Sequence, residues 1–466
     1  MTQMIRNIKS IISIYLCLLL VAGCKKFADV NVPSNQLSSG NVFSTNSTVK
    51  AAISGMFVTL STSDSYELQL GLSSYTGMSA DELDFNSTSD TYDPFLNNAI
   101  GSDNTSIQDL WTDLYEVNYQ ANSIIEGITN STATLTDSIK QDALAESKFV
   151  RAFCHFYLVN LWGSVPLVTT TNVTVTKNIA RSSTDTVYQQ IIADLESAAA
   201  NLNKNYTFSG GKRIMPNKYA AMALLARVHL YLGNWQKAAN YADSVIAQSN
   251  GLYNLLTSAN IGKVMTANNN EAIWQLPSSG TTGYTIEGQY YLIISPTPSY
   301  LISDHLLAAF ETGDLRLSNW IGSVTVDNVT YYYPYKYKLK ATNTTSLAES
   351  VTYLRLSEQY LIRAEANMEL GNTADAIADI NIIRNRAGLG NTTATSKEEV
   401  RLAIEKERQT ELFTEYGHRW IDLRRTGRID AVLGAEKSNW TSNAALYPIP
   451  LNELYNDIHL TQNPGY

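Results

Sequence analysis

The chain has no run of Lys or Arg longer than two residues, and its acids outnumber its bases by 43 to 34, a formal charge of −9. The positive footprint that nucleic acid demands is missing, which excludes DNA and RNA partners. Cysteine is scarce, with three in 466 residues. The five histidines, His155, His229, His305, His418 and His459, form no HExxH pair, so zinc catalysis has no support and each reads as structural or surface. Gly210-Gly211-Lys212-Arg213 lacks the spacing of a phosphate loop and reads as a turn, and no G-x-S-x-G elbow occurs. No metal or cofactor is implied. With 44% hydrophobic and 17% charged residues the composition is globular, which excludes disordered, collagenous and multi-span membrane proteins. Phenylalanine is the minor aromatic, 11 against 28 Tyr and 7 Trp, so most rings carry a polar edge suited to a wet binding surface.

The one long apolar run is at the N-terminus. Ile11 to Ala22 follows Arg6 and Lys9, and as a helix it would span about 18 Å, short of the roughly 30 Å hydrocarbon core. It reads as the apolar part of a signal peptide over residues 1–23. The run ends in Val21-Ala22-Gly23-Cys24, which looks like a bacterial lipobox with Cys24 as the acylated new N-terminus. Several acyl chains, at about 0.8 kcal/mol per buried methylene, hold a protein on a membrane essentially permanently. Cys17 leaves with the signal, and a lipidated Cys24 leaves Cys154 without a partner, so stability must come from the core rather than from a disulfide. Residues 24–45 read as the lipidated N-terminus and a tether.

Beyond residue 45 the helical period dominates. Ile107 to Ile128 places Leu110, Leu114, Val117, Ala121 and Ile124 on one face, and Asp142 to Trp162 and Thr184 to Leu202 read likewise. The clearest helix pair is Asn217 to Leu232 and Trp235 to Ala247, joined by Gly233-Asn234. A second copy runs from Leu356 to Leu370 and from Thr373 to Asn385, joined by Gly371-Asn372. At an offset of 138 the copies align Ala226 with Ala364, Ala238 with Ala376 and Val245 with Ile383. These are tetratricopeptide-like positions, small where helices approach and Gly at the turn. Segments around Leu110 to Ile128 and Ala145 to Gly163 are weaker candidate units, making about four. The repeat-free stretches are Asp64 to Asp103 and Ser249 to Ser350, natural places for a binding surface. In the second, alternation at Tyr331, Tyr333, Tyr335 and Tyr337 predicts a strand.

Two charge clusters offer chemistry. Asp81, Glu82 and Asp84 could supply the acid and base of a glycosidase, although adjacent carboxylates seldom face one another, and solvated or sugar-binding acids are the preferred reading. Glu407, Glu411 and Glu415 form an i,i+4 row that Arg408, Arg419, Arg424 and Arg425 could neutralise as a structural ion-pair network.

Five segments carry a family likeness: RAFCHFYLVNLWGSVPLV (151–168), NEAIWQL (270–276), the 353–389 segment, ERQTELFTEYGHRWIDLRRTG (407–427) and LYPIPLNELYNDIHLTQNPGY (446–466). With the lipobox, they resemble the SusD/RagB family of outer-membrane nutrient-binding lipoproteins. The resemblance implies a mostly α fold with about four tetratricopeptide-type hairpins, long loops and a few short strands. Residues 46–260 would form its N-terminal half and 261–466 its C-terminal half, packed as one body. It also implies a lipid-anchored, surface-exposed location on the outer membrane and a SusC-like TonB-dependent transporter as partner. An oligosaccharide or polysaccharide, sometimes a peptide, would be delivered without cleavage; the other reading weighed is a surface glycoside hydrolase. No residue matches a starch-binding motif of the family, so the site is read from composition, from rings that stack on a sugar beside side chains that bond its hydroxyls. The candidates are Asp81, Tyr92, Phe95, Asn97 and Asn98, with Asp93 beside them, then Tyr284, Gln289, Tyr290 and Tyr291, and finally Tyr300 and Trp320. Trp111, Trp162, Trp235 and Trp420 lie in scaffold motifs and are assigned to the core.

Overall fold

A computed structural model describes Met1 and residues 42–61, 66–277, 283–342 and 348–466. Apart from Met1, the segment read as a signal peptide, Cys24 and nearly all of the segment read as a tether lie outside these residues. The fold is mostly helical. After α1 (Asn46–Ser61), eight helices stack in chain order, each on the one before: α2 (Thr105–Asn130), α3 (Asp137–Trp162), α4 (Thr184–Asn201), α5 (Lys218–Tyr231), α6 (Trp235–Ile246), α7 (Leu356–Glu369), α8 (Thr373–Arg386) and α9 (Lys397–Leu412). Side-chain caps begin several of them. Asn104, Ser183 and Asn217 each accept a backbone N–H of the first turn, and Ser396 with Glu399 forms a reciprocal capping box at α9.

The two clear hairpins close identically. Gly233 and Gly371 take φ of 69° and 87°, and the next residue donates five positions back, Asn234 to the His229 carbonyl and Asn372 to that of Asn367. Only a residue without a Cβ adopts this left-handed turn at no cost, which is why glycine recurs there. Ala226, Ala364, Ala238, Ala376, Val245 and Ile383 are all fully buried where helix meets helix. The segments around Leu110 to Ile128 and Ala145 to Gly163 are not separate units but the paired helices of one hairpin, α2 and α3. Each has 26 residues, long enough that one helix carries as much apolar periodicity as a whole repeat. Cys154 sits inside α3, fully buried, and burial pushes its thiol pKa up.

The long insertion is tied down at both ends by β2 (Ala272–Leu276) pairing antiparallel with β6 (Val351–Arg355). Within it, β4 (Ile321–Val326) and β5 (Val329–Pro334) form a hairpin turning at Asp327-Asn328 with both φ positive. The predicted tyrosine strand is shorter than expected: Tyr331 and Tyr333 lie in β5, while Tyr335 and Tyr337 follow its end at Pro334.

The Glu407, Glu411, Glu415 row is neutralised by other cations than those expected. The chain breaks from helix after α9, with positive φ at Thr414 and Tyr416, so Glu415 does not continue the row. Arg316 reaches Glu407 at 2.9 Å and Glu411 at 3.3 Å, Arg384 reaches Glu407 at 2.9 Å, and Arg355 reaches Glu415 at 2.7 Å. Arg386 and Arg355 also pair with Glu411, and Lys336 with Glu415. Burial alone would raise the Glu411 carboxyl, but Arg386, Arg355 and Arg316 hold it well below the usual range. The expected partners face elsewhere: Arg408 to Asp422, Arg419 to Asp81, Arg425 to Glu365 and Arg424 to the Asn160 carbonyl. Trp320 roofs this network. Its ring lies 4.8 Å from Lys336 Nζ and 5.8 Å from the Arg355 and Arg386 guanidinium carbons, and its indole N–H donates to the Ile261 carbonyl.

Candidate functional site

The two repeat-free stretches meet at one short ladder. β1 (Leu83–Phe85) pairs antiparallel with β3 (Tyr300–Ile302), setting Phe85 opposite Tyr300 and Asp84 opposite Leu301. Asn86 extends the join, its side-chain amide donating to Thr297 Oγ1 at 2.8 Å and to the Pro298 carbonyl at 3.0 Å. Neither strand exceeds three residues, so the side chains around them carry most of the contact.

Those side chains are rings. Phe85 lies 4.4 Å from Tyr92 and 5.2 Å from Tyr300, Tyr291 lies 5.2 Å from Tyr300, and Phe95 stacks on Tyr75 at 4.3 Å. The Tyr300 hydroxyl donates to that of Tyr92 at 2.8 Å. Burial raises the Tyr92 hydroxyl above its ordinary pKa; the Tyr300 bond opposes this, and Glu67 and Tyr290 add to it. Phe95, Tyr291 and Tyr300 are buried, so they form the base of the cluster, while Phe85 and Tyr92 are half-buried and supply its exposed face.

Phe85 also lines a cleft of about 510 Å³. Asp81, Asp84 and Phe85 come from the β1 segment, Leu96 and Asn97 from the end of the Asp93–Leu96 helix, Ser303 and His305 from the segment after β3, and Glu436 to Asn439 from the end of a helix spanning Ile429–Glu436. At its floor Arg419 grips both oxygens of Asp81, at 2.8 and 2.6 Å. His305 bridges two acids, with Nε2 3.1 Å from Asp81 and Nδ1 2.6 Å from Glu436. Among the described residues these three are the one His/Cys/Asp/Glu group close enough to hold a metal ion. Each imidazole nitrogen faces one carboxylate oxygen in this arrangement.

The three acids weighed for hydrolysis therefore divide. Asp81 is buried against Arg419, and Glu82 is buried and accepts the Thr414 N–H at 3.2 Å. Burial first, and then Asp81, push the Glu82 carboxyl up to about 8. Asp84 alone is exposed. Of the sequence candidates, Asp81 and Asn97 line the cleft, Tyr92, Phe95, Tyr291 and Tyr300 belong to the ring cluster, and Tyr290 is half-buried against the core outside it. Asn98 is buried at φ 50° and donates to the Ser79 carbonyl, a scaffold contact. Gln289 accepts the Ala341 N–H, and Tyr284 is half-buried and lines no part of the cleft. Trp320 is fully buried over the ion network, so its ring is closed to a ligand. Trp111, Trp162 and Trp420 are buried, while Trp235 is only half-buried. Sequence reasoning missed Phe85, His305 and Glu436. Phe85 adjoins the acids of SADELDF and could have been included with them, whereas nothing in sequence joins His305 to Glu436.

Two family models cover separate parts of the chain: residues 315–466 match the SusD family, and residues 26–230 match a family described as starch-binding associating with outer membrane. SusD-like protein P25 of Formosa agariphila is 28% identical over 92% of this chain and 93% of its own length. SusD-like protein P2 of the same organism is 26% identical over 98% of this chain and 99% of its own length. Among solved structures, a SusD superfamily protein of Bacteroides vulgatus superposes with TM-score 0.80 at 21% identity, covering 91% of this chain and all of the other. A laminarin-binding SusD-like protein superposes with TM-score 0.76 at 24% identity, covering 90% and 99%. The order of the sequence motifs, the stacked helical hairpins and these matches together show that the chain belongs to the SusD/RagB family.

Proposed function

We propose that the protein is a cell-surface lipoprotein that captures an oligosaccharide in the Phe85 cleft and passes it uncleaved to a TonB-dependent outer-membrane transporter. The observation that carries this reading is the continuity of the cleft with the ring cluster. A sugar laid along Phe85 and Tyr92 would put its hydroxyls within reach of Asp84, Asn97 and Glu436. The family description and the laminarin-binding neighbour support a glycan over a peptide. With Asp81 and Glu82 held by protein groups, the arrangement favours binding over hydrolysis. Among the described residues no helix is long and apolar enough to cross a membrane; the proposed attachment is the lipid on Cys24.

Isothermal titration against laminarin-derived and other oligosaccharides, with chromatography of the ligand after long incubation, tests the reading. Binding with the ligand recovered intact is expected, and release of new reducing ends would overturn the uncleaved delivery. Cys24→Ala should leave the protein unprocessed or free of the membrane fraction, and unchanged fractionation would remove the lipid anchor.

A further inference from the structure

Acids outnumber bases among the residues that line the cleft. Asp81, Asp84 and Glu436 line it against Lys437; burial raises the Asp84 carboxyl pKa, an effect the Lys437 amine opposes and Asp304 adds to. Each nearby cation is already engaged. Arg419 is committed to Asp81 and also lies 3.6 Å from Glu405. The Lys437 amine donates to the Ser79 carbonyl at 3.0 Å and to that of Met78, neutral acceptors that hold it in place without cancelling its charge. His305 is bracketed by Asp81 and Glu436. The Asp84 carboxylate, in contrast, is exposed and receives no hydrogen bond from another described residue. With Asp81 paired to Arg419, an incoming ligand therefore meets two further carboxylates, Asp84 and Glu436, against the single Lys437 charge.

Resting on the glycan reading above, we propose that this cleft selects glycans without carboxylate or sulfate groups, with Asp84 and Glu436 as acceptors for sugar hydroxyls. A hydroxyl donating to an ionised carboxylate makes the stronger, charge-assisted kind of hydrogen bond. A uronate or sulfate ester at the same place brings like charge to within a few ångströms of acids that Lys437 compensates only in part. Asn97 adds to the polar side of the cleft: one of its two amide N–H groups donates to the Asp93 carbonyl at 2.8 Å, which leaves the other N–H and the amide oxygen for sugar hydroxyls of either role. The ring face of Phe85 stacks on the C–H face that neutral and acidic sugars share, so most of the discrimination falls to the acids.

The test titrates the purified protein with three probes of similar length: laminarin oligosaccharides, oligogalacturonate and a sulfated galactan oligosaccharide. The expected result is binding of the neutral probe at least about tenfold tighter than either anionic one, a difference of the size that one charge-assisted contact replaced by a like-charge contact produces. Asp84→Asn should narrow the gap, and Asp84→Lys should bring oligogalacturonate into the measurable range. Because Asp84 is exposed, both variants are expected to melt with the parent, and a melting curve on each confirms it. Equal or tighter binding of an anionic probe to the parent overturns the charge selection while leaving the glycan reading in place. Failure of all three probes, extended to a wider neutral panel, overturns the glycan reading itself and the selection with it.

Discussion

Replacing Phe85 and replacing Trp320 should do damage of opposite kinds. Phe85 is half-buried at the edge of the ring cluster, so Phe85→Ala, like Tyr92→Ala, should weaken glycan binding by up to about tenfold, the size of one lost ring contact of about 0.5–1.5 kcal/mol, with a small change in melting temperature. Trp320→Ala removes a fully buried indole and its bond to Ile261, and should cost about 3–5 kcal/mol of stability. Titration and thermal melts on the same preparations separate the two. Glu82 gives a pH prediction. Its carboxyl ionises near 4.5 in the unfolded chain and is pushed up to about 8 in the fold by burial and by Asp81. The fold binds that proton more tightly, so the stabilisation is complete below about 4.5 and is lost as pH rises to 8 and beyond. Glu82→Gln keeps the uncharged form at every pH. The parent should therefore lose more melting temperature than this variant between about pH 5 and 8, and parallel curves would contradict the assignment.

At the scale of elements, the β1–β3 ladder is the join on which the cleft depends, and Asn86 is its side-chain fastening. Asn86→Ala should speed hydrogen exchange at residues 83–86 and 300–302 and weaken glycan binding several-fold while the helical array stays protected. Uniform exchange across parent and variant would show that the ladder does not need it. This join was invisible in sequence, because three-residue strands more than 200 positions apart leave too little alternation to read. The helices were legible for the converse reason. Leu110, Leu114, Val117 and Ala121 repeat over many turns, Asn and Ser stand at the starts, and Gly233 and Gly371 mark the ends. Tyrosine abundance pointed to a ring cluster, but its periodicity could not say that Tyr291 and Tyr300 lie beneath and Phe85 at the edge. Trp320 looked like a ligand platform by composition, and only the cations gathered from Lys336, Arg355 and Arg386 explain why it is inside.

Across the whole molecule, the Glu411 network binds the insertion to the helical array. Arg316 belongs to the insertion, Arg355 to β6, Arg386 to α8 and Glu411 to α9. Removing one partner from such a buried set strands the others, so Glu411→Gln should cost about 3–5 kcal/mol in denaturant unfolding. The parent's own melting temperature should barely respond to added salt, because buried pairs are screened far less than exposed ones. A further property of the molecule follows from Cys154. A soluble version beginning at residue 42 would contain no other cysteine, and this one is sealed inside α3 with its thiol pKa pushed up. One cysteine placed at exposed Asn439 would then be the only thiol open to a maleimide dye, so a fluorophore beside the cleft could report the arrival of a sugar without any other site being labelled.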